Sequence, residues 1–241
     1  MTNGFFTTVF SQPLYNGLIF LMAFIPGADA GIAVIIFTIL VRLALYPLSK
    51  RSIETQMKLK KVEQDIERIK TTVKDKTKQA SAIMEFYRSK GLNPLSGFAL
   101  IIVQIPIIFA LYYVFLRSGL PTINHQLLYS FIPATEPNMH FLGILNLMEK
   151  SYVLAALCAL SQFFQAKFAL PMTKPTQASG SFKDNLARSM NMQMRYLFPI
   201  MVFFIVYNLS SIIALYWITN NLFAIGQEWS VRRRLETQGQ S

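Results

Sequence analysis

The sequence has little charge and few residues able to bind a metal. Only 15% of its 241 residues are charged, against about 25% in soluble proteins. The single cysteine, Cys158, lies in an apolar run, which excludes a disulfide scaffold and a thiolate metal site. The two histidines, His125 and His140, lie far from any cluster of carboxylates, so we expect no metal site. The chain also lacks a phosphate loop, a nucleophile elbow and paired carboxylates, so we expect neither an enzyme nor a cofactor.

Apolar residues are abundant instead, at 53% of the chain, and the mean hydropathy is +0.37. This composition excludes an ordinary soluble core, a disordered chain and a collagen-like chain. It predicts an all-α polytopic membrane protein, folded as a single domain over residues 1–241. The first 41 residues contain no Lys or Arg, so we expect no cleavable signal or transit peptide among them.

The basic residues are strongly segregated along the chain. None precedes Arg42, and twelve then fall between Lys50 and Lys90. On a membrane protein, such clusters mark the cytoplasmic side and contact anionic lipid headgroups. We favour this interpretation of the net charge of +11 over nucleic-acid binding, and expect no recognition of a specific nucleic-acid sequence.

The apolar runs define the predicted topology. A helix needs about 20 residues to cross a bilayer, and the run at 14–25 is too short, which indicates a helix lying in the membrane interface. The run at 196–225 is too long for one crossing. Because basic residues flank it on both sides, it should contain two short spans that meet near 208–211.

The prediction is therefore five spans, with the amino end outside and the carboxyl end in the cytoplasm. The segments are an interfacial helix at 10–28, span 1 at 30–48, a cytoplasmic helical hairpin at 50–90, span 2 at 95–116, an outer loop at 117–150, span 3 at 151–170, a cytoplasmic loop at 171–195, span 4 at 196–211, span 5 at 212–228 and a cytoplasmic tail at 229–241. The hairpin carries apolar residues at three- and four-residue spacing and should turn near 74–78; the alternative is a solvated linker with a basic face.

Arg42 is the outstanding residue, because it lies inside the apolar run at 32–48. An ionised side chain there costs about 2.5–3.5 kcal/mol on insertion scales, so it should face protein or water unless it snorkels toward Lys50. All twelve acidic residues fit outside the spans, which argues against a proton relay and favours an unpaired positive charge in a wet cavity. Polar residues that could line this cavity, or simply hydrogen-bond between helices, are Thr38, Gln104, Gln162, Gln165, Asn208, Thr219 and Asn220.

Several motifs, in order along nearly the whole chain, resemble the conserved core of the YidC family of membrane-protein insertases. They are FSQPL at 10–14, VRLALYPL at 41–48, MEFY at 84–87, GLNP at 91–94, QIP at 104–106, LY at 111–112, FPIM at 198–201, YN at 207–208 and ALYWITNN at 214–221. Two features of longer members are absent from this sequence, the large outer domain and the long basic tail that helps some of them hold ribosomes.

The resemblance implies a five-span core with a hydrophilic groove, open to the cytoplasm and to lipid, that contains a positive charge at Arg42. It places Thr38, Tyr216 and Trp217 among the groove residues, and an apolar slide on the spans at 95–116 and 196–211. It implies nascent membrane proteins as substrates, inserted alone or with the Sec translocon, and the ribosome as a partner. Two other functions fit the residues: an assembly chaperone without translocation activity, and a small anion transporter subunit, although no inverted repeat supports the latter.

Overall fold

The computed structural model describes residues 4–5, 7–93, 113–115, 120–169 and 192–238, and this part of the chain is mostly helical. The predicted span at 95–116, except residues 113–115, lies outside the described residues, as does most of the predicted loop at 171–195. The helices are α1 Gln12–Phe24, α2 Ala30–Ala44, α3 Tyr46–Lys61, α4 Glu63–Thr72, α5 Lys76–Ser89, α6 Tyr152–Ala169, α7 Phe198–Tyr207 and α8 Ser211–Gln238. Short π-helical turns, Thr7–Ser11 and Gln193–Leu197, precede α1 and α7, and a 3-10 turn, Pro26–Ala28, follows α1.

The predicted outer loop at 117–150 packs over α1 and forms much of the core. Tyr15, Leu18 and Ile19 on α1 are fully buried in a cluster that includes Leu127 and other loop residues. The side chain of Asn16 also ties α1 to the loop. Its Nδ2 donates to the Leu127 carbonyl at 2.7 Å, and its Oδ1 accepts from the Tyr129 backbone N–H at 2.7 Å. The segment predicted as an interfacial helix is therefore covered by protein along one side.

The same loop contains a small antiparallel hairpin that the sequence did not predict. Strand β1 is His140–Phe141 and strand β2 is Leu145–Asn146, with Phe141 paired to Leu145. The hairpin lies at the amino-terminal end of α2, where the Ala30 N–H donates to the Asn138 carbonyl at 2.9 Å.

The segment predicted as span 1, at 30–48, is not one straight helix, because the chain bends by 61° between α2 and α3. Pro47 explains the bend: its ring has no N–H to donate and crowds the carbonyl of Leu43, four residues earlier. Arg42 and Lys50 consequently lie on differently directed helices.

The segment predicted as a hairpin at 50–90 forms three helices rather than two. The first, α3, packs against α8, and α4 and α5 pack against each other. The chain turns at Val73–Asp75, which overlaps the start of the predicted turn, and the Asp75 carboxylate caps α5 by accepting from Thr77 N at 2.8 Å. Burial against α4 raises the pKa of Tyr87, an effect partly offset by nearby Lys70.

The remaining helices follow the predicted segments closely at their starts. In α6, the observed bounds coincide with the predicted span at 151–170 to within a residue at each end. The last apolar run forms two helices, of which the first ends at Tyr207 and the second starts at Ser211, and the predicted junction was near 208–211. Helix α8 extends beyond the predicted end of span 5 at residue 228 and continues through Gln238, for 28 residues or about 42 Å.

Among the described residues, α6 alone is long and apolar enough to cross a bilayer as a single straight helix. The bent pair α2 and α3 meets the same criterion if taken together, and Gln193–Tyr207 is a shorter apolar helix.

The Asp29 side chain hydrogen-bonds both the start of α2 and the outer loop. Substituting it therefore tests how the loop is attached to α2. Its Oδ1 accepts from Gly31 N at 2.8 Å and from Ile32 N at 3.1 Å, while its Oδ2 accepts from Leu142 N at 2.7 Å. We expect Asp29→Ala to lower the free energy of unfolding by about 2–3 kcal/mol, because it removes a helix cap and leaves a loop N–H unpaired. Thermal unfolding of the purified protein in detergent measures the loss.

The matched control is Asp29→Asn, which retains an acceptor for the α2 cap but presents an amide NH₂ to Leu142. It should therefore lose roughly half as much stability. Equal melting temperatures for the wild type and Asp29→Ala would contradict the role of Asp29 in holding the loop.

Candidate functional site

Helix α8 lies between α2 and α6 and offers each of them a row of polar side chains. Asn220 faces α2, and its neighbour Asn221 faces α6, because successive residues on a helix point about 100° apart. Trp217 is four residues before Asn221 and therefore lies on the same face. The polar interior predicted from composition is thus divided into two sets of contacts, one on each side of α8.

The first set contains Arg42. Arg42 is half-buried, and its Nε donates to Oδ1 of Asn220 at 2.7 Å. Tyr216, one helical turn before Asn220, is buried, and so is Thr38, one turn before Arg42. The Thr38 hydroxyl donates to the carbonyl of Val34 at 2.6 Å.

No carboxylate within the described segments lies within 4 Å of the Arg42 guanidinium. Its hydrogen-bond partner Asn220 is a neutral amide, which satisfies one N–H without cancelling the charge. A guanidinium carries five N–H donors, so the bond to Asn220 leaves four for other partners. This arrangement retains a positive charge that a carboxylate or another polar group could approach.

The second set ties α8 to α6 through Gln162. Its Oε1 accepts from Trp217 Nε1 at 2.9 Å and from Asn221 Nδ2 at 3.2 Å. Asn221 Nδ2 also donates to Ser161 Oγ at 3.1 Å, and Gln162 Nε2 donates to Gln165 Oε1 at 3.1 Å. Since Ser161, Gln162 and Asn221 are all buried, these bonds satisfy polar atoms that would otherwise be isolated from water.

The structure brings together seven of the ten residues predicted for the groove, in two groups flanking α8. The α2 side contains Arg42, Thr38, Tyr216 and Asn220, and the α6 side contains Gln162, Gln165 and Trp217.

The other three predicted residues are placed differently. The hydroxyl of Thr219 donates to the carbonyl of Leu215 in its own helix at 2.8 Å. Asn208 is exposed at the break between α7 and α8, where its Nδ2 donates to the Phe204 carbonyl at 2.8 Å. Gln104 lies outside the described residues.

Sequence reasoning missed Ser161 and Asn221. Each lies directly beside a residue that was selected, Gln162 and Asn220 respectively, and the spacing of Asn221 from Trp217 was the available signal. In the described ranges, no group of three or more His, Cys, Asp and Glu side chains could hold a metal ion.

Gln162 holds the α6 side of the site, and its removal tests the contribution of that network. Gln162→Ala leaves the Trp217 N–H without its acceptor and removes one of two acceptors from Asn221. We expect the free energy of unfolding to fall by about 1–3 kcal/mol, measured by thermal unfolding in detergent. Gln165→Ala is the control and should cost less, because Gln165 is half-buried and, within the described part of the chain, its side chain hydrogen-bonds only Gln162. A larger loss for Gln165→Ala would contradict this assignment.

Comparison with known proteins identifies the family to which this chain belongs. The family model described as 60Kd inner membrane protein matches residues 20–238 of this chain. Proteins named membrane protein insertase YidC from Francisella tularensis subsp. novicida and subsp. tularensis are each 31% identical over 208 residues, covering 86% of this chain and 33% of theirs. The chain thus spans about a third of the length of these curated relatives.

The fold agrees with this match. A solved structure titled "Active YidC insertase crystal structure with the first transmembrane domain resolved" aligns with a TM-score of 0.55 at 23% identity, covering 93% of this chain and 46% of that one. Sequence motifs, family match and fold lead to one conclusion: the chain belongs to the 60Kd inner membrane protein family, the YidC family of bacterial membrane-protein insertases, which is not a family of enzymes.

Proposed function

We propose that this protein is an insertase that moves nascent membrane proteins into the lipid bilayer through a hydrophilic groove containing Arg42. Membership in the YidC family supports the general activity. The observation that carries the groove hypothesis is the contact between Arg42 and Asn220, in which a cation within an apolar helix is held by a neutral partner. A charge within an apolar helix lowers the stability of the protein. Its presence is explained if the charge interacts with an arriving substrate.

The proposed topology has five spans, with the amino end outside and the helices of residues 50–90 in the cytoplasm. The distribution of charge supports it, because the basic residues concentrate at 50–90 and after residue 228. The exposed lysines and arginines of these segments are suited to anionic lipid headgroups, and we assign the same surface to contacts with the ribosome. Cooperation with the Sec translocon is part of the proposal.

The proposed mechanism is a change of environment in which no bond is made or broken. A polar or acidic segment of the substrate leaves water for the groove, where Arg42 offsets part of the cost of its desolvation. The apolar helix at Gln193–Tyr207 has only 15 residues, or about 22 Å, which is less than a bilayer core of about 30 Å. Local thinning around it would shorten the path of the polar segment.

The apolar part of the substrate then leaves toward lipid along exposed apolar side chains. On α7, Ile200, Met201, Phe204 and Ile205 are exposed and form a flexible apolar surface. Transfer of the substrate helix from water to lipid along this surface releases about 25 cal/mol per Å² of apolar area, which drives the overall step.

The test uses the purified protein in liposomes with a single-span substrate carrying a short acidic amino tail. We expect the tail to be protected from added protease when the protein is present, and to remain cleavable with empty liposomes. Equal cleavage in both, with the protein shown to be folded by its melting transition, would contradict an autonomous insertase and favour a chaperone without translocation activity.

A further inference from the structure

The hairpin of β1 and β2 exposes large apolar side chains at its tip. Leu142 is 60% exposed and Ile144 is 88% exposed, although both lie beside strands that are partly covered. Residues 137–148 contain no Lys, Arg, Asp or Glu. An exposed apolar tip without charges is typical of a surface that contacts a membrane or another protein.

The turn itself is poorly suited to leucine. The Ile144 N–H donates to the Phe141 carbonyl at 3.0 Å, and the two residues between them, Leu142 and Gly143, have φ angles of +52° and +71°. Both residues therefore adopt positive φ angles, a backbone region that favours Gly and Asn over other residues. Leucine is strained there, so local folding does not account for its presence.

The hairpin is fixed firmly to the start of α2. The Leu142 N–H donates to Asp29 Oδ2 at 2.7 Å, and the other oxygen of the same carboxylate caps the first turn of α2. The ring of Phe141 packs so closely on Gly31 that a Cβ at that position would collide with it. The tip is therefore held at the level where the apolar helix α2 begins.

We propose that this tip inserts Leu142 and Ile144 into the boundary between headgroups and acyl chains of the bilayer, beside the amino-terminal end of α2. We assign lipid as the contact of the tip because the tip adjoins the beginning of an apolar helix. The tip also has no charged side chain that could form an ion pair with a protein partner. Burial in lipid offsets the strain at Leu142. The contact anchors the outer loop independently of any substrate in the groove.

The experiment places a fluorescent label at the tip of the full-length protein. In a Cys158→Ala background, Ile144→Cys carries an NBD label, and the protein is reconstituted in liposomes of phosphatidylcholine and phosphatidylglycerol. We expect blue-shifted emission and at least twofold quenching by lipids brominated on their acyl chains. Glu136→Cys, at an exposed charged position of the same loop, is the matched control and should show neither.

Three results would overturn the proposal. Equal, water-like emission from positions 144 and 136 in liposomes would exclude lipid contact. Shielding of position 144 in native membranes but not in liposomes would identify a protein partner instead. A further variant separates lipid contact from packing: Leu142→Asn suits the turn and should keep the melting temperature in detergent while weakening the quenching at 144. A lower melting temperature with unchanged quenching would make Leu142 a packing residue and reject the proposal.

Discussion

Arg42→Ala is expected to reduce insertion of a substrate with an acidic tail by about tenfold or more, whereas Arg42→Lys retains most of the activity. Two unit charges 4 Å apart interact by about 4 kcal/mol at an effective dielectric of about 20. A third of that, about 1.4 kcal/mol, already changes an equilibrium tenfold. Lysine retains the charge but not the planar geometry of the guanidinium, so a smaller loss is expected.

The measurement is the protected fraction of tail in the liposome assay, compared for acidic tails and for tails in which Asp and Glu are replaced by Asn and Gln. Neutral tails should be much less sensitive to Arg42→Ala, because they gain no Coulomb energy from the groove. A similar loss for both kinds of tail would assign Arg42 a role in hydrating or shaping the groove, and would contradict the charge hypothesis.

Features that depend on local sequence were well predicted from the chain alone. The bounds of α6 follow from a single apolar run, and the break after Tyr207 follows from the excess length of the last run. The bend between α2 and α3 also had a local signal, Pro47, which a search for continuous apolar runs passes over. Periodicity and hydropathy record such features because each involves neighbours within a few residues.

Long-range contacts explain what was missed. The bonds of Asn16 to Leu127 and Tyr129 join residues more than 100 positions apart, and nothing in the pattern of either segment specifies the other. The outer loop was therefore predicted as a connection and proved to be part of the core. The same limit applies to the site: sequence identified Arg42 and a set of polar residues, but the pairing with Asn220 emerged only from the packing of α8 on α2.

That pairing leads to the second large effect, expected for Asn220→Asp. The substitution changes one side-chain atom and places a carboxylate where the amide oxygen now accepts from Arg42 Nε at 2.7 Å. A charge-assisted pair should form in place of the neutral bond, leaving the groove with no net charge. Insertion of acidic tails should then fall about as far as in Arg42→Ala, roughly tenfold, while neutral tails are inserted nearly as well as by the wild type.

The control is Asn220→Ala, which removes the contact but keeps the cation. It should cost acidic tails less than Asn220→Asp does, because the guanidinium loses its fixed position and not its charge. The relative insertion activity of the two variants distinguishes an effect of charge from an effect of shape. If the shape of the groove matters, Asn220→Asp should be more active than Asn220→Ala, because Asp nearly matches Asn in volume. If Asn220→Asp inserts acidic tails as well as the wild type does, insertion does not depend on Arg42 having a neutral partner. The hypothesis that the charge of Arg42 acts on the substrate in the groove would then be contradicted.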